Sequence, residues 1–102
     1  MHSFGDIAPP TILIIDDTPT NVKVLELSLK RAGYSTMAAF SGPEGEELAE
    51  ARQPDLILLD IMMPGKSGFD TCSDLKRNPR TQDIPIIFLS AMCDVKSKVK
   101  GL

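Results

Sequence analysis

"TILIIDDTPTNVKVLELSLKRAG", residues 11 to 33, decides the fold. The run Thr11 to Ile15 is apolar and rich in Ile, without polar alternation, as expected of a parallel strand covered on both faces. Asp16 and Asp17 end it. Thr18 then Pro19 reads as an N-cap and first helical position, and Val22, Leu25, Leu29 and Ala32 follow at helical spacing. Gly33 stops the helix.

The same beat continues downstream. "YSTMAAF" (34 to 40) reads as a second strand, and Ser41 with Glu44 makes a capping box that opens a helix to about Arg52. Pro54 separates this helix from a third strand, "LILL" (56 to 59). After a Pro-Gly loop, Phe69, Cys72 and Leu75 mark a third helix closed before Pro79. "IPIIFLS" (84 to 90) is a fourth strand, and Asp94 onward starts a fourth helix. Strands alternating with helices imply a parallel sheet with right-handed crossovers, so the fold class is α/β.

Composition narrows the function classes. A chain of 102 residues suits one domain with a modest core, here a tail over 1–9 and a domain over 10–102. The net charge of −3 gives no electrostatic argument for nucleic acid or an anionic membrane. No apolar run reaches spanning length, and "MHSFGDIAPP" lacks the basic start and apolar centre of a signal peptide. Cys72 and Cys93 fit neither C-x-x-C nor zinc spacing, which points to reduced thiols in a cytoplasmic protein. His2, in the tail, is better read as a disordered or tag-like residue than as a ligand.

Polar residues interrupt the apolar pattern in one consistent place, the carboxyl end of a strand. Asp16 and Asp17 follow the first strand, Asp60 the third and Ser90 the fourth. In open α/β sheets that edge is where ligands bind. If the first and third strands are neighbours, three carboxylates meet, and such a cluster repels itself unless a cation sits among them. Oxygen-only donors of this hardness suit Mg²⁺. A carboxylate beside a metal can attack phosphorus and form an acyl phosphate, while a nearby hydroxyl holds a phosphoryl oxygen. Asp60 is the best nucleophile because the Gly65 and Gly68 loop leaves it room, Asp16 and Asp17 are metal holders, and Ser90 is a phosphate sensor. Taken singly, each has a plainer role: Asp17 a turn former, Ser90 an N-cap, Met62 and Met63 packing residues, and Lys96, Lys98 and Lys100 a solvated helix face. Acids or hydroxyls at three strand ends together weigh against those plainer roles.

"ILIIDD", "LILLDIMMPGKSG" and "IIFLSA", in this order and spacing, resemble the three motifs of the response-regulator receiver domain of two-component signalling, over roughly residues 10 to 102. "LILLD" alone could be a Walker B strand, but no G-x-x-x-x-G-K-[ST] accompanies it. The resemblance implies a flavodoxin-like doubly wound sheet in the order 2-1-3-4. Asp60 would be the phosphoacceptor, served by a sensor histidine kinase or a histidine phosphotransfer protein. Asp16, Asp17, Asp60 and the backbone carbonyl of Met62 would bind Mg²⁺, and Ser90 would be the switch hydroxyl. Pro64 and Gly65 match the pocket loop, and Ala91 the small residue after the switch. An output domain downstream or a homodimer would receive the signal, with no direct nucleic-acid binding by this domain and no membrane.

Receivers continue through a fifth strand, which ends in a Lys, and a fifth helix. This sequence stops at "DVKSKVKGL", inside the expected fourth helix, so the fifth strand and helix are absent from this chain. Lys96, Lys98 and Lys100 precede that strand and are not counterparts of the Lys. Two other readings compete with a phosphoryl-accepting switch that is not itself an enzyme. One is a pseudo-receiver acting as an interaction module, which the intact acids oppose and the missing Lys favours. The other is a small phosphatase with an aspartyl nucleophile in "IIDDT", which lacks the second Asp two positions on.

Overall fold

The computed structural model describes residues 8–89. Strands β1 (Thr11–Ile15), β2 (Ser35–Ala39), β3 (Leu56–Leu59) and β4 (Ile86–Phe88) form one parallel sheet in the order β2-β1-β3-β4. Helices α1 (Pro19–Arg31), α2 (Gly42–Arg52) and α3 (Gly68–Arg77) connect them. The expected α/β class and strand order hold.

β1 is central because both its faces are apolar. Leu13 and Ile15 point into one core with Ala49 of α2 and Leu75 of α3, while Ile12 and Ile14 pack with Val22, Leu25 and Leu29 of α1. The period-2 alternation of a strand thus feeds two cores, one on each side of the sheet.

Helix α2, "GPEGEELAEAR", presents Gly42, Gly45 and Ala49 as its buried row. Small residues bring its backbone close: a Cβ built on Gly45 would stand 2.3 Å from Ile15 Cδ1, and one on Gly42 would stand 2.2 Å from Thr71 Oγ1. The capping box forms as expected. Ser41 Oγ accepts from the Glu44 N–H at 3.3 Å, and Glu44 Oε1 accepts from the Phe40 N–H at 2.9 Å. Ser67 caps α3 in the same way through the Asp70 N–H. That cap is also written as Ser-x-x-Asp, an N-cap signal that the sequence reading passed over.

Three expectations change, while the stop of the first helix at Gly33 holds. Thr18 occupies the N-cap of α1 but its side chain makes no capping bond; the local acceptor is Asp16. Helix α1 ends at Arg31, with Ala32 as its C-cap and Gly33 at φ +99°, a left-handed conformation suited to Gly. The second strand loses Tyr34 and Phe40, whose N–H groups go to Leu29 O and to Glu44. The fourth begins only at Ile86, because Ile84 is held in a turn by Thr81 O and Pro85 has no N–H to give. The ladder extends past Phe88 through the Leu89 N–H to Leu59 O at 2.8 Å.

In α3 the interior row is Gly68, Thr71 and Leu75, with Cys72 half-buried. Phe69 stands about 100° round the helix from Gly68. It is 58% exposed, its ring tilted against Phe88 at 5.3 Å between centroids. Ser90, Ala91, Cys93, the helix expected from Asp94 with its three Lys, and His2 lie outside the described residues.

Candidate metal and phosphoacceptor site

Register brings the acids together. Ile15 pairs with Leu59 across β1 and β3, so Asp16 and Asp60, the next residue on each strand, emerge side by side at the carboxyl edge of the sheet. The Asp60 N–H donates to Ile15 O at 2.9 Å and the Asp16 N–H to Ala39 O at 3.0 Å, which fixes both backbones. One carboxylate oxygen from each of Asp16, Asp17 and Asp60 lies within 4.8 Å of the others. Asp16 and Asp60 are buried and Asp17 is half-buried.

Burial is the main force that raises the Asp60 pKa above its ordinary 3.8, and the neighbouring Asp16 and, less strongly, Asp17 push it the same way. The backbone N–H groups of Met62 and Ile61 act against the rise. A buried acid held between two others favours either a proton or a cation. Carboxylate oxygens from one short loop and one strand end are the donor set that a small hard cation prefers, so the residues fit Mg²⁺.

Asp16 carries the turn-forming role that the sequence also allowed for Asp17. Its Oδ1 accepts from the Thr18 N–H at 2.9 Å and its Oδ2 from Asn21 Nδ2 at 3.4 Å. Asn21, in the first turn of α1, escaped the sequence reading. Its signal is weak, a polar residue five positions after the acid.

The loop after Asp60 is shaped by backbone contact. A Cβ on Gly68 would meet the Asp60 carbonyl at 2.1 Å, and the Gly68 N–H donates to Ile61 O at 2.8 Å, so the loop closes on its own start. Gly68 is needed for this approach rather than to leave room for a ligand. Gly65 adopts φ +80°. Met63 is buried in the core as expected, whereas the Met62 side chain is 75% exposed and does not pack. A separate groove of about 400 Å³, lined by Gln53, Pro79, Arg80, Asp83 and Ile84, opens at the opposite edge of the sheet and contains none of the three acids.

A parallel 2-1-3-4 sheet with an acidic cluster at the carboxyl edge of its two inner strands defines a flavodoxin-like protein with a polar site at its topological switch point. The family model of the response regulator receiver domain matches residues 12–102, and the chain belongs to that family. It is 44% identical over 92 residues to the DNA-binding dual master transcriptional regulator RpaA of Synechocystis, covering 90% of this chain and 38% of that protein. It is 40% identical over 91 residues to the response regulator PleD of Caulobacter vibrioides, covering 89% of this chain and 20% of PleD. The chain thus spans well under half the length of these relatives. Among solved structures, the N-terminal domain of a response regulator receiver protein from Methanoculleus marisnigri superposes with a TM-score of 0.76 at 46% identity, covering 78% of this chain and 64% of that one. The receiver domain of the sensor histidine kinase PA1611 from Pseudomonas aeruginosa, solved with a magnesium ion coordinated in its active-site cleft, gives 0.75 at 28% identity, covering 79% and 66%.

Proposed function

We propose that residues 10–102 act as a phosphoryl-accepting signalling switch. The observation that carries this is the meeting of three carboxylates from two neighbouring strand ends, with Asp60 buried among them and its pKa raised. Asp16, Asp17 and Asp60, with the backbone carbonyl of Met62, would hold Mg²⁺, the ion coordinated in the PA1611 receiver. That ion supplies positive charge against the oxygens of a phosphoryl group and keeps Asp60 ionised.

The group transferred comes from a phosphohistidine on a sensor kinase or a histidine phosphotransfer protein. An ionised Asp60 carboxylate oxygen attacks phosphorus, the new O–P bond forms as the N–P bond breaks, and the departing imidazole nitrogen takes a proton. The Met62 and Ile61 N–H groups, already facing the Asp60 carboxylate, stay paired with it as charge moves to the phosphoryl oxygens. Ser90, which follows the β4 ladder in sequence, would then hold a phosphoryl oxygen and pass on its arrival as the switch hydroxyl. The domain is on this reading a regulatory phosphoacceptor rather than an enzyme with turnover, works in the cytoplasm, and passes its state to an output domain or a second copy. No described helix is long and apolar enough to cross a membrane.

The test is labelling with a small phosphodonor in the presence and absence of Mg²⁺. We expect stoichiometric, Mg²⁺-dependent labelling that vanishes in Asp60→Asn. Equal labelling of both proteins removes Asp60 from its role, and wild-type protein that neither labels nor binds Mg²⁺ is a scaffold.

A further inference from the structure

The loop from Ile61 to Ser67, between β3 and α3, follows Asp60 directly, as the loop from Asp16 to Thr18 follows β1. Its two ends are pinned, by the Asp60 N–H to Ile15 O and by the Gly68 N–H to Ile61 O. Near its C-terminal end the loop is also held by Lys66. The Lys66 Nζ stands 2.6 Å from Glu46 Oε2 of α2 and pairs with Asp74 Oδ2 of α3. Its stem crosses the start of α2, where Cδ would lie 3.5 Å from a Cβ on Gly42. Lys66 is half-buried, and its two carboxylate partners hold it charged, while Asp74 is pulled down by the same contact.

These contacts join the two halves of the cluster. Glu46 follows Gly45, where the side chain of Ile15 occupies the space a Cβ would need, and Ile15 is the residue immediately before Asp16 and Asp17. The loop that carries Met62 is thereby tied through Lys66 and α2 to the strand end that carries the other two acids. We propose that Lys66 is a positioning residue, an ionic latch that sets the spacing between the Asp60 and Met62 side of the site and the Asp16 and Asp17 side. This rests on the reading of the cluster as a Mg²⁺-dependent phosphoacceptor site. Without the ammonium, Glu46 and Asp74 face each other as like charges across the gap between α2 and α3, and both the loop and α2 give way.

Lys66→Met and Lys66→Arg test the latch in the full chain. Two quantities are measured at a temperature where circular dichroism shows each protein folded: Mg²⁺ affinity by calorimetry, and the Mg²⁺-saturated rate of phosphorylation by phosphoramidate. Lys66→Met weakens the affinity and slows the saturated rate by on the order of tenfold each, the scale for residues that orient ligands or reacting groups. Lys66→Arg restores most of both. The latch is overturned by wild-type values in Lys66→Met, or by an Arg variant no better than Met with losses that follow the unfolded fraction. If Lys66→Met does not fold, the triple variant Glu46→Gln, Asp74→Asn, Lys66→Met removes the repulsion, and wild-type affinity and rate in it overturn the latch equally. Asp60→Asn run in parallel separates the two ideas. Unchanged labelling there sinks the phosphoacceptor reading, while the Mg²⁺ arm still judges Lys66.

Discussion

Asp60 stands where burial and two neighbouring carboxylates both oppose its charge, and without a cation that opposition weakens the fold. Its pKa is raised in the native state, so it binds a proton more readily folded than unfolded. The stability this gives is fully present below the ordinary value of 3.8 and is lost as pH rises through the raised value. Asp60→Asn removes the charge while keeping the shape. In metal-free buffer we expect its Tm to exceed the wild-type Tm by an amount that grows across that window and levels off above it. A difference that stays flat with pH would remove the strain assigned to Asp60. Gly68 is the second sensitive residue, because a methyl group there would meet the backbone carbonyl of Asp60, which has no rotamer to escape into. Gly68→Ala should cost about 3 kcal/mol in denaturant unfolding, the upper end of overpacking, and should slow phosphorylation even where folded. At this scale the three acids were legible, since each sits at a strand end and strand ends are visible as breaks in apolar runs. Asn21 and Lys66 were not. The partners of Lys66 lie 20 residues before and 8 residues after it, and only the packing of α2 beside α3 brings them together.

The weakest element on its own sequence is α2. Its buried row is Gly42, Gly45 and Ala49, so it gains little from burying large side chains and depends on its cap and its close seat on β1. Ser41→Ala removes the oxygen that accepts from the Glu44 N–H and should cost about 1 kcal/mol. Gly45→Val should cost about 1–3 kcal/mol, because the methyls would overlap the Ile15 side chain in a packed core. Denaturant midpoints measure both, and a neutral Gly45→Val would mean that α2 can lift off the sheet without penalty. The sequence showed this helix through its capping box and showed β1 and β3 through unbroken apolar runs. It showed element ends less well. Where β2 begins and ends and where β4 begins is settled by which acceptor takes each N–H, as with Tyr34, Phe40 and Ile84, and those acceptors lie on neighbouring helices and turns rather than in the strand's own pattern.

Among the described residues the two faces of β3 are covered unequally, while both faces of β1 are buried. Ile57 and Leu59 of β3 are fully buried on the side of α2 and α3, while Leu56 and Leu58 are only half-buried on the side where α1 is the packing helix among the described residues. The acid cluster stands at the carboxyl edge where both layers meet, so an ion bound there links β1 to β3 and stabilises the fold as a unit. Mg²⁺ held by the native site alone should raise the free energy of unfolding by about 2.7 kcal/mol at a hundred times its dissociation constant. Protons compete for the same oxygens, so the gain must shrink as pH falls. Because the Asp60 pKa is raised, that loss should begin at a higher pH than for an ordinary carboxylate. Melting curves with and without Mg²⁺ across the acid range measure this directly. A Mg²⁺ increment that stays constant as Asp60 takes up its proton, or that survives in Asp60→Asn undiminished, would place the ion elsewhere.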